Sequence, residues 1–339
     1  MKKNIIAWDL GATKCAAGVV EYETESRALT CLKSTSIKLS DTTSLEDLIQ
    51  NLEQQLDFSI AGADAICIGG AGFYDGQELL LEGVYPYRML FQQVAAAQKW
   101  PVYAVIHDYA PIVCATFTNY LSDEKNIKRL NQGEIQPFGR RMAFGIGTGL
   151  GGKDGVLLPN GDFWLGQNEV GHIGISMPPS AELLHVKRHY ELMQFSQQQC
   201  AIEERMACTF EKILSGPGAV RLYRFLYSDS EAITPEIVGE KMQKGLVPEL
   251  MNVFSWYLGL FVGTMQLNFM PEGGLWITGG VALSNLNLFD APEFFDGIHA
   301  SPAYMPQREH YPLGVLCNPE HALIGGGYYA AVKLLCELQ

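Results

Sequence analysis

Six groups of residues have the types and spacing to do chemistry. The first is Asp9-Leu10-Gly11-Ala12-Thr13-Lys14, a carboxylate, two small residues, a hydroxyl and an ammonium in one short turn. Small residues let a backbone approach a phosphate, whose oxygens then accept from N–H groups and a threonine hydroxyl. Asp9 is a candidate Mg²⁺ ligand, acting through water, because Mg²⁺ keeps several waters and takes few carboxylates. A structural hairpin explains the same residues. The second group, Gly145-Ile-Gly147-Thr148-Gly149-Leu-Gly151-Gly152, has five glycines in eight residues. So many glycines are entropically costly, which leaves a tight hairpin or a second phosphate loop with Thr148 as donor. It lacks the Gly-Lys-Ser/Thr ending of a P-loop, and no helix pattern follows directly as a dinucleotide fingerprint requires. A third turn, Thr278-Gly279-Gly280-Val281, follows another apolar run.

The other three groups carry acids and bases. His107-Asp108 follows the apolar run 102–106, so Asp108 falls at the carboxyl end of a strand, where open α/β sheets bind ligands. A carboxylate there can take a proton from a substrate hydroxyl, or it can simply cap the helix that starts near Pro111. Glu169 and His172, three apart in a polar loop, could share a ligand; as a metal pair they lack a third ligand nearby. Glu211 reads locally as a solvated residue beside Lys212, closing a helix over 199–214 with Ile202, Met206, Phe210, Ile213 and Leu214 on its apolar side.

The elements that must hold these groups alternate. Apolar runs at 4–9, 15–20, 65–70, 102–107, 142–146 and 274–278 read as strands, the first two forming a hairpin. Helical patterns fall at 44–56, 90–99, 199–214, 219–228 and 235–244. Strands alternating with helices make an α/β chain. Residues 121–141 are polar and read as an insertion or loop, and the basic pairs Lys128-Arg129, Arg140-Arg141 and Lys187-Arg188 as solvated surface. Asn252 to Pro271 carries no charge over 20 residues. Its Asn252, Ser255, Gln266 and Asn268 point to a buried core helix rather than a membrane span.

Composition narrows the class. The 339 residues suggest about two domains, and 47% hydrophobic with 18% charged residues exclude a disordered chain. A net charge of −13 argues against nucleic-acid or anionic-membrane partners, so any phosphate must be held by local devices. The 8 cysteines show no metal-ligand spacing, and no signal-peptide pattern opens the chain; a reducing, cytoplasmic setting is expected.

In this order, the motifs resemble the bacterial ATP-dependent glucokinase family of the actin/hexokinase/Hsp70-like superfamily, over nearly the whole chain. Asp9-Leu-Gly-Ala-Thr13 looks like its first phosphate motif, Gly147-Thr-Gly-Leu-Gly151 the second, and Ile277-Thr-Gly-Gly-Val281 its adenosine motif. Glu169-Val-Gly-His172 looks like the sugar-binding ExGH element, and Leu214-Ser-Gly-Pro-Gly218 with Ala-Val-Arg-Leu-Tyr-Arg is nearly literal. The resemblance implies a two-domain ribonuclease-H-like fold with an interdomain cleft: a smaller domain over 1–110, completed by a C-terminal helix over 319–339, and a larger one over 111–318. It implies ATP and Mg²⁺, a hexose as partner, a homodimer, and Asp108 as general base. Glu169, His172, His107, Asp108 and Glu211 become sugar ligands, with the nucleotide along residues 9–14, Gly147, Thr148, Gly149, Gly279 and Gly280. The resemblance thus overrides the surface reading of Glu211.

Three departures stand out. The family usually has Asn-Asp where this chain has His107-Asp108, and an Asn-containing turn where this chain has Glu82-Gly-Val-Tyr-Pro-Tyr87. Lys14 is closer to the related ROK sugar kinases, whose zinc-binding CxCGxxGC block is missing, so no zinc is expected. The expected activity is transfer of the ATP γ-phosphoryl group to the glucose 6-hydroxyl. A kinase for another hexose or amino sugar, or a non-catalytic sugar sensor, are the alternatives.

Overall fold

The computed structural model describes residues 1–83, 85–175, 184–227 and 233–335. Val84, Cys336 and the last residues of the expected C-terminal helix lie outside the described residues. The strands are β1 (Lys2–Leu10), β2 (Lys14–Glu23), β3 (Ala28–Lys38), β4 (Ala65–Gly70), β5 (Gly72–Tyr74), β6 (Leu79–Leu81), β7 (Val102–His107), β8 (Ile127–Arg129), β9 (Arg141–Ile146), β10 (Leu150–Leu157), β11 (Phe163–Leu165), β12 (Gly274–Thr278) and β13 (Leu313–Leu316). The helices are α1 (Leu45–Leu56), α2 (Phe91–Gln98), α3 (Tyr109–Thr116), α4 (Leu184–Gln199), α5 (Gly216–Tyr227), α6 (Pro235–Gln243), α7 (Pro248–Phe269), α8 (Gly280–Ser284), α9 (Pro292–His299), α10 (Met305–Arg308) and α11 (His321–Ala330).

The chain divides into two compact units, Met1–Lys128 with Gly155–Leu165 and Leu316–Gln339, and Arg129–Asp154 with Gly166–Val315. The first unit therefore extends past the expected limit at residue 110. The cause is α3: Gly325 of α11 meets the Pro111 backbone so closely that no side chain would fit between them. α3 thereby packs against α11 within the first unit.

That sheet has the order β3-β2-β1-β4-β7, with β1, β4 and β7 parallel and β2 and β3 antiparallel. β1 is a continuous apolar run because both its faces are covered. Ile6, Trp8 and Leu10 pack with Leu45, Leu48, Ile49 and Leu52 of α1, whereas Ile5 and Ala7 face residues of α11 and the turn after it, including Leu323, Ile324, Ala330 and Ala331. α1 starts where Ser44 accepts from the Asp47 N–H at 3.0 Å, and it ends at Asp57 in left-handed backbone.

In the second unit the strands run in the order β10-β9-β12-β13, and β9, β12 and β13 are parallel. α7 lies buried through Leu250, Phe254, Leu258, Phe261 and Met265, which accounts for the uncharged stretch from 252 onward. Among the described residues no single helix is long and apolar enough to cross a membrane. Buried Arg308 (0% exposed) donates to the Gly263, Ser301 and Ala303 carbonyls and to Gln266 Oε1, tying α10 to α7.

Three expectations are corrected. No single helix spans 199–214: α4 ends at Gln199, a wide turn over Cys200–Glu204 stops at Arg205 in left-handed backbone, and Glu211 sits in a short 3-10 turn, Phe210–Lys212. Ile202 and Met206 are exposed, 77% and 48%, so that apparent apolar face buries nothing at those positions. The 121–141 segment is not merely a loop, since it contains β8 and the start of β9. Nor is Arg140-Arg141 solvated surface: Arg141 is 5% exposed and Arg140 pairs with Asp154.

Candidate active site

The first unit aligns three strand ends. Leu10 of β1 is in register with Gly70 of β4, and Gly70 with His107 of β7, so the carboxyl ends of these strands share one edge. Asp9 and Asp108 belong to that edge, on strands separated only by β4, which presents Gly69 and Gly70 there. Strands two apart lie roughly 10 Å from each other, close enough for two carboxylates to repel across a desolvated gap. Asp9 is half-buried, and its carboxyl is pushed up to about 6, first by desolvation and then by the Asp108 charge, with Lys14 opposing.

Between β1 and β2 the first turn closes as Gly11 N–H donates to the Lys14 carbonyl at 3.0 Å. Thr13 and Lys14 are exposed and Gly11 and Ala12 half-buried. Gly83, from the stretch expected to carry the family's Asn turn, packs against Ala12. Gly83 therefore borders the first turn, although Val84 lies outside the described residues.

Asp108 combines the expected strand-end position with the helix cap. It follows the last residue of β7, and its Oδ1 accepts from the Tyr109 N–H at 3.0 Å as the cap of α3. The cap occupies one oxygen and fixes the carboxylate at the strand end. His107 Nδ1 stands 3.0 Å from the same Oδ1, and both side chains are about a quarter exposed, 25% and 23%. The imidazole therefore touches the carboxylate itself.

The second unit joins the other two glycine turns. Thr278 pairs with Gly145, so the turns after β9 and β12 leave one sheet edge. Gly279, with φ +96°, lies so close to the Ile146 backbone that a side chain would overlap it. In the second loop Gly147 N–H donates to Gly149 O at 2.9 Å, and Gly147 O accepts from Gly216 N–H at 2.8 Å. The hairpin is thus tied to the start of α5, and Thr148 stays exposed at its tip.

Glu211 joins this loop. Its Oε2 accepts from the Leu150 N–H at 3.0 Å, and the residue is half-buried rather than solvated. Glu169 precedes the 3-10 turn Val170–His172, and Glu169 and His172 are both exposed. Gly171 sits on the Leu150 carbonyl with no room for a side chain. Leu150 thereby holds Glu211 through its N–H while the 170–172 turn lies against its carbonyl, bringing Glu169, His172 and Glu211 into one neighbourhood. Among the described residues no group of three or more His, Cys, Asp or Glu has metal-ligand geometry.

Sequence reasoning did not find Asp154. This β10 carboxylate is 1% exposed and holds the segment just before Glu169. Its signal was present, since Lys153-Asp154 is a charged pair inside a glycine and apolar strand, where charges are rarely left without a partner.

A family model described as Glucokinase matches residues 6–333 of the chain. A glucokinase of Agrobacterium fabrum is 27% identical over 305 residues, covering 87% of this chain and 84% of the relative. The crystal structure of a glucokinase from an Antarctic psychrotroph superposes with a TM-score of 0.76 at 18% identity, covering 96% of this chain and 98% of that one. A glucokinase of Balamuthia mandrillaris, solved in complex with glucose, superposes with a TM-score of 0.73 at 18% identity, covering 97% and 94%.

Proposed function

This chain is a member of the glucokinase family, and we propose that it transfers the γ-phosphoryl group of ATP to the 6-hydroxyl of glucose with Asp108 as general base. The observation that carries the assignment is the shared strand edge of Asp9 and Asp108, with Asp108 fixed there by its cap on α3. One end of that edge suits a phosphate and its cation, the other an acceptor hydroxyl.

Asp108 accepts the hydroxyl proton as the oxygen attacks phosphorus. It keeps one oxygen on the Tyr109 N–H and uses the other for the substrate. Glu169, His172, Glu211 and His107 are assigned to the remaining sugar hydroxyls. The turns 11–14 and 147–149, with the Thr13 and Thr148 hydroxyls, are assigned to the phosphates, and Gly279 and Gly280 to the adenosine. Positioning and electrostatic stabilisation then account for most of the rate.

Mg²⁺ suits Asp9, a half-buried carboxylate whose ionisation is resisted by desolvation and by Asp108 and would be relieved by a cation. When bound it supplies neutralising charge to the phosphate oxygens. A second reading, preference for another hexose, has one observation in its favour: His107 stands where the family usually has Asn and touches the proposed base. A cytoplasmic homodimer completes the proposal, and light scattering of the purified protein tests the dimer.

Asp108→Ala tests the central role. It is expected to lower kcat on the order of 10²–10⁴-fold while glucose binding measured by calorimetry persists. A kcat near that of the wild type would remove Asp108 from the chemistry.

A further inference from the structure

We infer that Asp154, acting through Asn168, is the positioning residue that sets the sugar-binding segment 166–172 in place. The inference rests on the glucokinase reading of Glu169 and His172. Asp154 lies on β10 with its side chain 1% exposed, and both of its oxygens are engaged. Oδ2 accepts from Arg140 Nε at 2.7 Å and stands 2.6 Å from the second guanidinium nitrogen. Oδ1 accepts from Asn168 Nδ2 at 2.7 Å. The Asp154 carbonyl accepts from the Gly166 N–H at 2.9 Å, and Gly166 lies against the carboxylate where a side chain would overlap it. Arg140 is itself held, its guanidinium stacked 5.0 Å over the Phe269 ring of α7.

A buried carboxylate is costly unless fully paired, and a buried ion pair is often no more stabilising than apolar residues of the same size. Here the pair does something an apolar residue could not. Gly166 and Asn168 touch Asp154, and Gln167 Oε1 accepts from the neighbouring Lys153 at 3.5 Å. Three consecutive residues are thus fastened to β10, and the next is Glu169. On the far side of Glu169, Gly171 is seated on the Leu150 carbonyl, and Leu150 N–H holds Glu211. Residues 150–154 of β10 therefore seat the segment at both ends and register it against Glu211. Asn168 is the weak link, because its single hydrogen bond carries the constraint from the buried ion pair to the residue beside Glu169.

The experiment measures glucose affinity by calorimetry without nucleotide, together with KM for both substrates and thermal stability. Asn168→Ala leaves the Arg140–Asp154 pair intact. It is expected to weaken glucose binding on the order of 10-fold or more, with KM for ATP within about twofold of wild type and little change in Tm, because misplacing a liganding group by a fraction of an ångström is enough for such a loss. Asn168→Asp places a second carboxylate against Asp154 and is expected to bind glucose still more weakly. Adding Asp154→Asn to it reverses the polarity of the same hydrogen bond and is expected to recover affinity relative to Asn168→Asp alone. Wild-type glucose affinity in Asn168→Ala, or KM for ATP rising in parallel with KM for glucose, would overturn the inference. Absence of glucose binding by the wild-type protein in the same titration would instead overturn the glucokinase reading beneath it.

Discussion

Asn in place of Asp9 should make the protein more stable and less useful. The Asp9 carboxyl moves from an ordinary 3.8 to about 6 in the folded chain, chiefly by desolvation and then by the Asp108 charge. A folded-state value raised above the unfolded one means that its stabilising contribution is complete below 3.8 and is lost as pH rises through about 6. Above that pH the folded protein carries an ionised Asp9 that the unfolded chain accommodates more easily. Roughly two units at about 1.4 kcal/mol each give a penalty of up to about 3 kcal/mol at pH 7.5, falling to about half of that at pH 5. Asp9→Asn keeps the shape and removes the charge. In thermal melts without nucleotide it should raise Tm by up to about 6–12 °C at pH 7.5, at about 2–4 °C per kcal/mol for units of this size. The gain should shrink on moving to pH 5. Mg²⁺·ATP should stabilise the wild type more than the variant, because only the wild type offers it a carboxylate. A variant no more stable than wild type at pH 7.5, or a gain independent of pH, would refute the argument that Asp9 is held under electrostatic stress for a cation.

The remaining predictions concern three other side chains. His107→Asn, which takes the imidazole off Asp108 and restores the residue the family usually has there, should raise kcat/KM for glucose on the order of 10-fold; a loss would mean His107 suits a different sugar. His321 is buried at the start of α11, and desolvation holds its imidazole below the usual 6.5 despite a hydrogen bond to Asn318 O. The unfolded chain therefore binds the proton first, so stability should fall as pH drops below about 6.5, and His321→Gln should flatten that part of a Tm–pH curve. Arg308→Ala should cost about 3 kcal/mol or more in urea unfolding, because it strands the carbonyls of Gly263 and Ala303 and Gln266 Oε1 in the core.

The parts of the site that read well from sequence are those whose chemistry is local. Glycine turns after apolar runs announced the tight turns after β1 and β9 and the turn at Gly279. His107-Asp108 announced a strand end, and the 252–271 stretch announced a buried helix. What did not read well depends on partners far along the chain. The spacing of Ile202, Met206 and Phe210 looks helical, yet Arg205 takes left-handed backbone between them and the first two side chains face solvent. β3 escaped because much of it is exposed and rich in Ser and Thr, which erases the alternation that marks a half-buried strand. Arg140 looked like surface because Asp154, 14 residues on, is brought to it only by the pairing of β9 with β10. Glu211 looked solvated because Leu150, its partner, is 61 residues away.

The central claim is best tested by offering the purified protein Mg²⁺·ATP and glucose, and following glucose 6-phosphate through a glucose-6-phosphate dehydrogenase coupling. Mannose, fructose, glucosamine and N-acetylglucosamine run alongside in an ADP-release assay. The account predicts glucose 6-phosphate formed in step with ADP, with glucose the preferred sugar and the signal abolished by Asp108→Ala. No ADP release with any of these sugars, from protein that still binds glucose in calorimetry, would contradict it and leave a sugar-sensing protein on a kinase fold.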